Sequence, residues 1–441
     1  MEEPGNEIGD PSSVVQQDED WSRALPPAGY ELIDGWHRMW RNLRHQLWGG
    51  EHGWGIAKVV LVKMYDEYHN GGQRRWPTRT RGKLPRQAVE CVRTLWAEMQ
   101  ARYPQLGGEQ LPPDDVIHYV AAAMPEVSFR HSSTDSLGLM YQAVAGDWIR
   151  DNGVFLTPAR CAQALAAMCL AAIPSERMLD TRVIDPACGS GALLHAWVGE
   201  MTAASRLDAG ERASYVTHKV AGLDISQELT RIACTRLSIE QGGRAGIYQA
   251  NSVMPKSWSR EVQKRVQWGQ YDLVLGNPPF VNRRLLDEAY TEFELPRWQA
   301  EGPPLKRPRN CPMEVLFLEV YVRLARPGAI LGLILPATMC ASNQRSGYGW
   351  HWLMQKAEVL AEVELPPHTF APYTKVTTKL YILQVKGGAD EERVKLPGGT
   401  MRATVAGVGH DLKGKRTTPD NDLPQIVAEW RRQLALAQSY H

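Results

Sequence analysis

Residues Asn277-Pro278-Pro279-Phe280 close the apolar stretch Tyr271 to Gly276 with an amide, two prolines and an aromatic ring. Asn-Pro starts turns and Pro-Pro stiffens them, so one reading is a structural exit from a strand. The other is a loop that grips a planar, amino-bearing substrate. An exocyclic amine on a ring, as in adenine, delocalises its lone pair and is a poor nucleophile. Two acceptors on that amine, the Asn277 side-chain oxygen and the Pro278 carbonyl, would draw the nitrogen toward sp³ geometry and free the pair. Pro279, in series, fixes where the carbonyl points at little entropic cost. Phe280 would stack on the ring, an interaction worth roughly 1–3 kcal/mol per base. A sulfonium methyl is an electrophile already activated, so positioning would supply most of the rate and no metal is required.

Three further features fall where an open parallel sheet binds ligands, beyond the carboxyl ends of strands. In "DPACGSG" the turn from Asp185 through Ala187 to Gly189 and Gly191 lets backbone approach a ligand, and the helix after it offers free N–H groups. Leu194 stands where a dinucleotide fingerprint would want its third glycine. Asp185 would repel a phosphate and suits a cationic or hydroxyl-rich ligand; the alternative is a tight structural turn. In "GLDIS", Asp224 can accept two ribose hydroxyls while Ile225 lies against an adenine face, or Asp224 can serve as a helix cap. Asn251 in "QANSV" fits either a contact with a base edge or an Asx turn.

The elements that must hold these residues are legible as alternating patterns. "RVIDPACGSG", "KVAGLDIS", "AGIYQANSV", "YDLVLGNPPF" and the stretch ending in "LILP" read as strands, with amphipathic helices "ALLHAWVGEM", "QELTRIACTRLSIEQGG" and "MEVLFLEVYVRLAR" alternating among them. A Pro-Gly break is expected between the helix "MEVLFLEVYVRLAR" and the fifth strand, and "EVLAEVELPP" and "KLYILQVKGG" are expected as the last strands. The pattern predicts an α/β fold with a doubly wound, Rossmann-like sheet. Ahead of it, apolar residues at helical spacing (Leu32, Trp36, Met39, Leu43, then Val59, Val60, Met64) predict a helical domain. The expected division is a disordered acidic tail over 1–27, a helical domain over 28–135, the sheet domain over 136–386, and a C-terminal extension with a terminal helix over 387–441. The first 20 residues carry seven acidic side chains and no basic one.

Bulk composition narrows the partners. Fifty Lys and Arg against 49 Asp and Glu leave a net charge of +1, so contact with nucleic acid must come from local basic patches or from a partner. Such patches are Arg283 and Arg284 beside the Asn-Pro-Pro-Phe loop and Lys306, Arg307 and Arg309 in "KRPRN", which could hold phosphates or merely form a solvated face. Seven cysteines without C-x-x-C pairing or metal-like spacing predict reduced thiols and a cytoplasmic protein. Neither a signal peptide nor a membrane span is expected.

With these motifs in this order, the chain resembles the γ-class amino-methyltransferases acting on adenine in DNA, most nearly the methylation subunit of type I restriction-modification systems. The resemblance runs from about residue 30 to near the C-terminus. "LGLMYQAVAGDWIRDNGVFLTPARCAQAL" is similar to the family's linker into its catalytic domain, "LPPHTFAPYTKVTTKLYIL" to its late loop, and "HDLKGKRTTPDNDLPQIVAEW" to its C-terminal segment. The resemblance implies that Phe155, Leu156, Thr157 and Pro158, with the glycine turn, cradle S-adenosylmethionine, and that the Asn277 loop holds a flipped adenine. Asn251 stands where many relatives carry an acid, and Phe280 replaces the commoner tyrosine. The stretch after Gly387, about 55 residues, is short for a separate target-recognition domain. The resemblance therefore implies DNA as substrate, a specificity subunit that reads sequence, and a restriction nuclease subunit as a further partner. Two other readings stay open: methylation of a glutamine amide in protein, which poses the same lone-pair problem, and a non-catalytic, cofactor-binding subunit of a defence complex.

Overall fold

The computed structural model describes residues 21–43, 52–69, 73–79, 83–124, 126–132, 134–145, 155–280, 292–306, 310–340, 347–387 and 393–439. Five helices lead: α1 (Leu32–Leu43), α2 (His52–His69), α3 (Ala88–Arg102), α4 (Asp114–Ala123) and α5 (Ser136–Val144). The apolar faces read from their spacing meet in one core, with Trp36 and Met39 of α1 against Val60 and Met64 of α2 and Trp96 and Met99 of α3. Of the tail expected over 1–27, residues 1–20 lie outside the described residues and 21–27 are described. There Trp21–Ala24 form a short 3-10 turn and Pro27 bridges Ser128. The reason is local: the Ala28 N–H donates to the Ser128 carbonyl at 2.9 Å and Ala28 seats in the helical core.

The sheet strands are β1 (Val183–Asp185), β2 (Val220–Asp224), β3 (Gly246–Gln249), β4 (Tyr271–Gly276), β5 (Ala325–Pro336), β6 (Ala357–Glu364), β7 (Thr378–Val385) and β8 (Met401–Thr404). They form one eight-stranded sheet in the order β3-β2-β1-β4-β5-β7-β6-β8. All neighbours pair in parallel except β7, which runs antiparallel between β5 and β6. Both faces are covered, as continuous apolar strands demand. Leu273 and Leu275 of β4 face one core with α6 (Ala159–Ala171) and α7 (Ala192–Ser205), while Val274 faces the other with α11 (Met313–Leu324) and α12 (Gly347–Lys356). The remaining helices beside the sheet are α8 (Ala209–Lys219), α9 (Gln227–Gln241) and α10 (Arg260–Arg265).

Two features differ from the sequence pattern. Pro327-Gly328 does not break the chain before the fifth strand; β5 begins at Ala325, and its pairing with β4 shifts register between Tyr271 and Leu273. Gly328 takes φ +79°, so the chain absorbs the proline in a bulge and resumes pairing at Ile330. Beyond residue 387, β8 adds a strand beside β6, and a hairpin of β9 (Val408–His410) and β10 (Thr417–Asn421) follows. The terminal helix α13 (Leu423–Ser439) packs on α6, with Trp430 fully buried and its Nε1 donating to the Met168 carbonyl at 2.8 Å.

Candidate functional site

The strand order reverses at β1 and β4, and the crevice beyond their carboxyl ends is where the singled-out residues gather. Gly276 ends β4 against the phenol ring of Tyr321 on α11; a Cβ there would stand 2.5 Å from the ring. The next residue, Asn277, is held from the segment before α6. Its Nδ2 donates to the Phe155 carbonyl at 2.9 Å and to Thr157 Oγ1 at 3.1 Å. Both amide hydrogens are thereby engaged, which fixes the side chain's rotation. The opposite atom, Asn277 Oδ1, is buried and accepts no hydrogen bond among the described residues. A buried acceptor left so costs roughly 1–3 kcal/mol, so its retention points to a donor that arrives from outside. Pro278 is buried behind it, and the Phe280 ring lies 6.4 Å from that of Phe155, tilted by 32°.

The glycine turn is built as the sequence anticipates. Gly189 and Gly191 take φ +52° and +81°, and a Cβ on Gly189 would meet Leu156 at 2.9 Å. Gly191 caps α7, opening that helix's N–H groups to the crevice. Two carboxyl groups frame the turn. Asp185 Oδ1 accepts the Ala187 N–H at 2.9 Å, and burial, with the negative field of Asp224, pushes its carboxyl up to about 8. Asp224 accepts the Gly189 N–H at 3.0 Å and the Ser226 N–H at 2.8 Å, and burial still raises it to about 6. Each Asp224 oxygen carries one backbone bond and so keeps a lone pair for a ligand hydroxyl. Ile225 beside it is 59% exposed, a large apolar side chain presented at a strand end.

Asn251 lies in the turn after β3. Its Oδ1 accepts the Val253 N–H at 3.2 Å, which is the Asx-turn geometry, and its carbonyl accepts from Trp258 Nε1 at 2.8 Å. Leu156, Thr157 and Pro158 sit beside the loop, so the segment expected to cradle a cofactor also anchors Asn277. That second duty carried no sequence signal, because 120 residues separate Thr157 from Asn277. Lys306 is described but enters no contact with these residues, and Arg283, Arg284, Arg307 and Arg309 lie outside the described residues. Among the described residues no group of three or more His, Cys, Asp or Glu could hold a metal ion, and no helix is long and apolar enough to cross a membrane.

Behind the turn lies a buried charge network that sequence reading missed. Ser190 Oγ donates to Asp135 Oδ2 at 2.9 Å, and Asp135 Oδ1 stands 2.9 Å from Arg236 Nη1. Arg236 Nε donates to Glu240 Oε2 at 3.1 Å, and His195 Nε2 lies 2.5 Å from the same oxygen. Burial alone would raise Glu240, but Arg236 and His195 hold its carboxyl down at about 2. Asp135 also caps α5 by accepting the Gly138 N–H, so the network joins the helical domain to the glycine turn.

Comparison with known proteins follows this geometry. Residues 132–399 match the N-6 DNA Methylase family. No curated protein sequence matches significantly. Among solved structures, the chain is similar to the methyltransferase subunit of a type I restriction-modification system from Streptococcus thermophilus, with 14% identity, 91% of this chain and 93% of that one covered, and a TM-score of 0.51. It is similar also to a modification subunit assigned to a type I restriction enzyme from Vibrio vulnificus, with 14% identity, coverage of 92% and 91%, and a TM-score of 0.54. A third is the type IIG restriction endonuclease BpuSI, with 16% identity, 92% of this chain and 42% of that one covered, and a TM-score of 0.53. At these identities the likeness speaks for the fold: an N-terminal helical part and a mixed methyltransferase sheet.

Proposed function

The chain belongs to the N-6 DNA methylase family, and on that premise we propose that it transfers a methyl group from S-adenosylmethionine to the N6 amine of an adenine flipped out of DNA. It does so as the modification subunit of a restriction-modification system, with a specificity subunit reading the target and a restriction nuclease subunit as a further partner. The observation that carries this reading is Asn277 Oδ1: buried, without a donor among the described residues, and aimed by an amide whose nitrogen is already engaged.

In the proposed mechanism, Asn277 Oδ1 and the Pro278 carbonyl accept the two N6 hydrogens. No described backbone N–H donates to that carbonyl. This pair draws the nitrogen toward sp³ geometry and aims its lone pair. Phe280, with Phe155 tilted nearby, covers the face of the base; a stacked ring also compensates the few kcal/mol lost on unstacking the adenine. The residues at the ends of β1 and β2 suit the cofactor. Asp185 and Asp224 are carboxyls that burial keeps from ionising easily, so a cationic, hydroxyl-bearing ligand relieves them both. Asp224 would hold the ribose, Ile225 the adenine face, and Ala187, Gly189 and Gly191 the backbone wall beside the methionine portion. When bound, S-adenosylmethionine supplies an activated sulfonium methyl, and the contribution of the protein is alignment rather than proton transfer.

The test is transfer of labelled methyl to adenine in duplex DNA by the full chain with its specificity subunit. Wild type is expected to label N6. Asn277→Ala is expected to lose roughly a hundredfold or more in rate, the scale of deleting an electrostatic contact at a reacting atom, while still binding S-adenosylmethionine. Equal labelling by the two proteins would refute the assignment.

A further inference from the structure

The candidate site does not account for the β9–β10 hairpin. The turn between β9 and β10, Asp411 to Arg416, is rigid: Asp411 Oδ1 accepts the Lys415 N–H at 2.8 Å, and the Gly414 N–H returns to the Asp411 carbonyl at 2.9 Å. Gly414 is pressed on the Ala371 carbonyl, where a Cβ would stand 2.0 Å away. Ala371 in turn lines a small cavity together with Phe370, Tyr373, Leu156 and Thr157. The hairpin tip therefore sits on the outer side of the loop that faces Thr157, the residue holding Asn277.

This tip is cationic, and its neighbours are too. Lys413 and Arg416 are exposed, and neither side chain pairs with an acid among the described residues. Lys415 reaches Asp34 at 2.7 Å, which brings the tip against α1, whose Arg38 and Arg41 are likewise exposed. Lys375 follows the loop beneath Gly414 and is exposed as well. The nearby acids are already engaged: Asp34 by Lys415, Glu31 by the Thr417 N–H at 2.8 Å, and Asp411 by its own turn. Leu412, 76% exposed, projects from the same tip. In a chain of net charge +1, cations from three separate segments have converged beside this cavity with their local acids occupied.

We infer that the β9–β10 tip, with Arg38, Arg41 and Lys375, forms a rim that binds the phosphate backbone of duplex DNA beside the segment that holds Asn277. This rests on the proposed function for the identity of the substrate, but not for the binding itself. A preformed turn lowers the ordering cost of each contact, and each neutralised phosphate adds about 0.9 to the slope of log affinity against log salt.

The experiment is fluorescence anisotropy of a labelled duplex with the full chain between 50 and 200 mM salt. The double variant Lys413→Glu/Arg416→Glu is expected to bind about tenfold more weakly or worse at the low-salt end, with a salt slope smaller by roughly 2. Lys413→Gln/Arg416→Gln is expected to show an intermediate loss, and S-adenosylmethionine binding and the melting temperature are expected to stay at wild-type values in both. DNA affinity within twofold of wild type, no DNA binding by wild type, or a loss confined to assembly with the specificity subunit would each overturn the rim. Methyl transfer is read separately. A wild type that binds DNA through this rim yet methylates nothing removes the proposed function and leaves the rim standing. Normal methylation with unchanged affinity in the variants removes the rim alone.

Discussion

At the residue scale, the arrangement turns on how one amide is held. Asn277 has two ends, and among the described residues the nitrogen end has two partners and the oxygen end none. Thr157 is the partner that can be removed by side-chain substitution. Thr157→Val keeps the shape, deletes one hydrogen bond of about 0.5–1.5 kcal/mol, and lets the amide rotate. The expected result in single-turnover kinetics is a three- to tenfold lower kcat with unchanged S-adenosylmethionine affinity, restored by Thr157→Ser. A change confined to cofactor affinity would mean that the segment serves the cofactor alone. The two carboxyls make a second prediction. A cationic ligand favours their ionised forms, and Asp185 and Asp224 are protonated below about 8 and about 6. Binding must therefore release protons, and affinity must fall as pH drops from 8 toward 5, by up to about tenfold per pH unit for each titrating group. Calorimetry in buffers of different ionisation enthalpy measures both, and Asp224→Asn should flatten the lower part of the profile. A dissociation constant that is flat from pH 5 to 8 would count against these carboxyls as the cofactor's partners.

At the element scale, strand ends and helix starts do the placing. β4 delivers Asn277 only because Gly276 lets the chain pass Tyr321 of α11, whose hydroxyl is itself buried without a partner among the described residues. Gly276→Ala would drive a methyl into the ring and force either the helix or the loop to move. A cost of about 1–3 kcal/mol in denaturant unfolding is expected, together with a loss of methyl transfer larger than stability alone explains. Unfolding and activity both at wild-type levels would show that the contact is slack. The glycine turn is placed the same way: its left-handed residues release the chain from β1, and Asp224 at the end of β2 ties it down through the Gly189 N–H. Patterns of apolar spacing marked these strands and helices well. They did not mark β8 or the β9–β10 hairpin, whose strands are three to five residues long, too short to show a strong period. Nor did they reveal that β5 passes through Pro327-Gly328, since a bulge depends on the neighbouring strand.

At the scale of the whole molecule, the helical domain and the sheet domain meet through α9. Leu229, Ile232 and Ile239 of that helix belong to the helical core, while Ala233 and Leu237 belong to a sheet core. Tyr141 donates to Glu228 at 2.9 Å and Gln105 to Ser238 at 3.0 Å across the same junction. The buried Asp135–Arg236–Glu240–His195 network runs through it. Glu240 is depressed from its ordinary 4.5 to about 2, so it contributes stability that is fully present above about 4.5 and lost as pH falls toward 2. The expected size is roughly 3 kcal/mol. Between pH 5 and 2.5, wild type should therefore lose more unfolding free energy than Glu240→Gln by about that amount. Parallel curves for the two proteins would dismiss the network as a source of acid sensitivity. Arg236→Met removes the guanidinium shared by two buried acids, leaving Glu240 only His195 and Asp135 no cation, and is expected to cost about 3–5 kcal/mol in denaturant unfolding at neutral pH.

The sequence by itself determined the chemistry on offer. Residue type at a strand end fixes what a site can do, so an amide followed by two prolines and a ring, a glycine turn after an acid, and a second acid after β2 could be read without coordinates. It also determined the class of fold, because apolar period follows directly from burial. Tertiary structure alone decided which of those groups act on one another. Thr157 reaches Asn277, Ser190 reaches Asp135, Gly276 must clear Tyr321, and Gly414 of the β9–β10 tip packs on Ala371. Each is a contact between segments far apart in the chain, and local pattern carries no information about which distant residue will arrive.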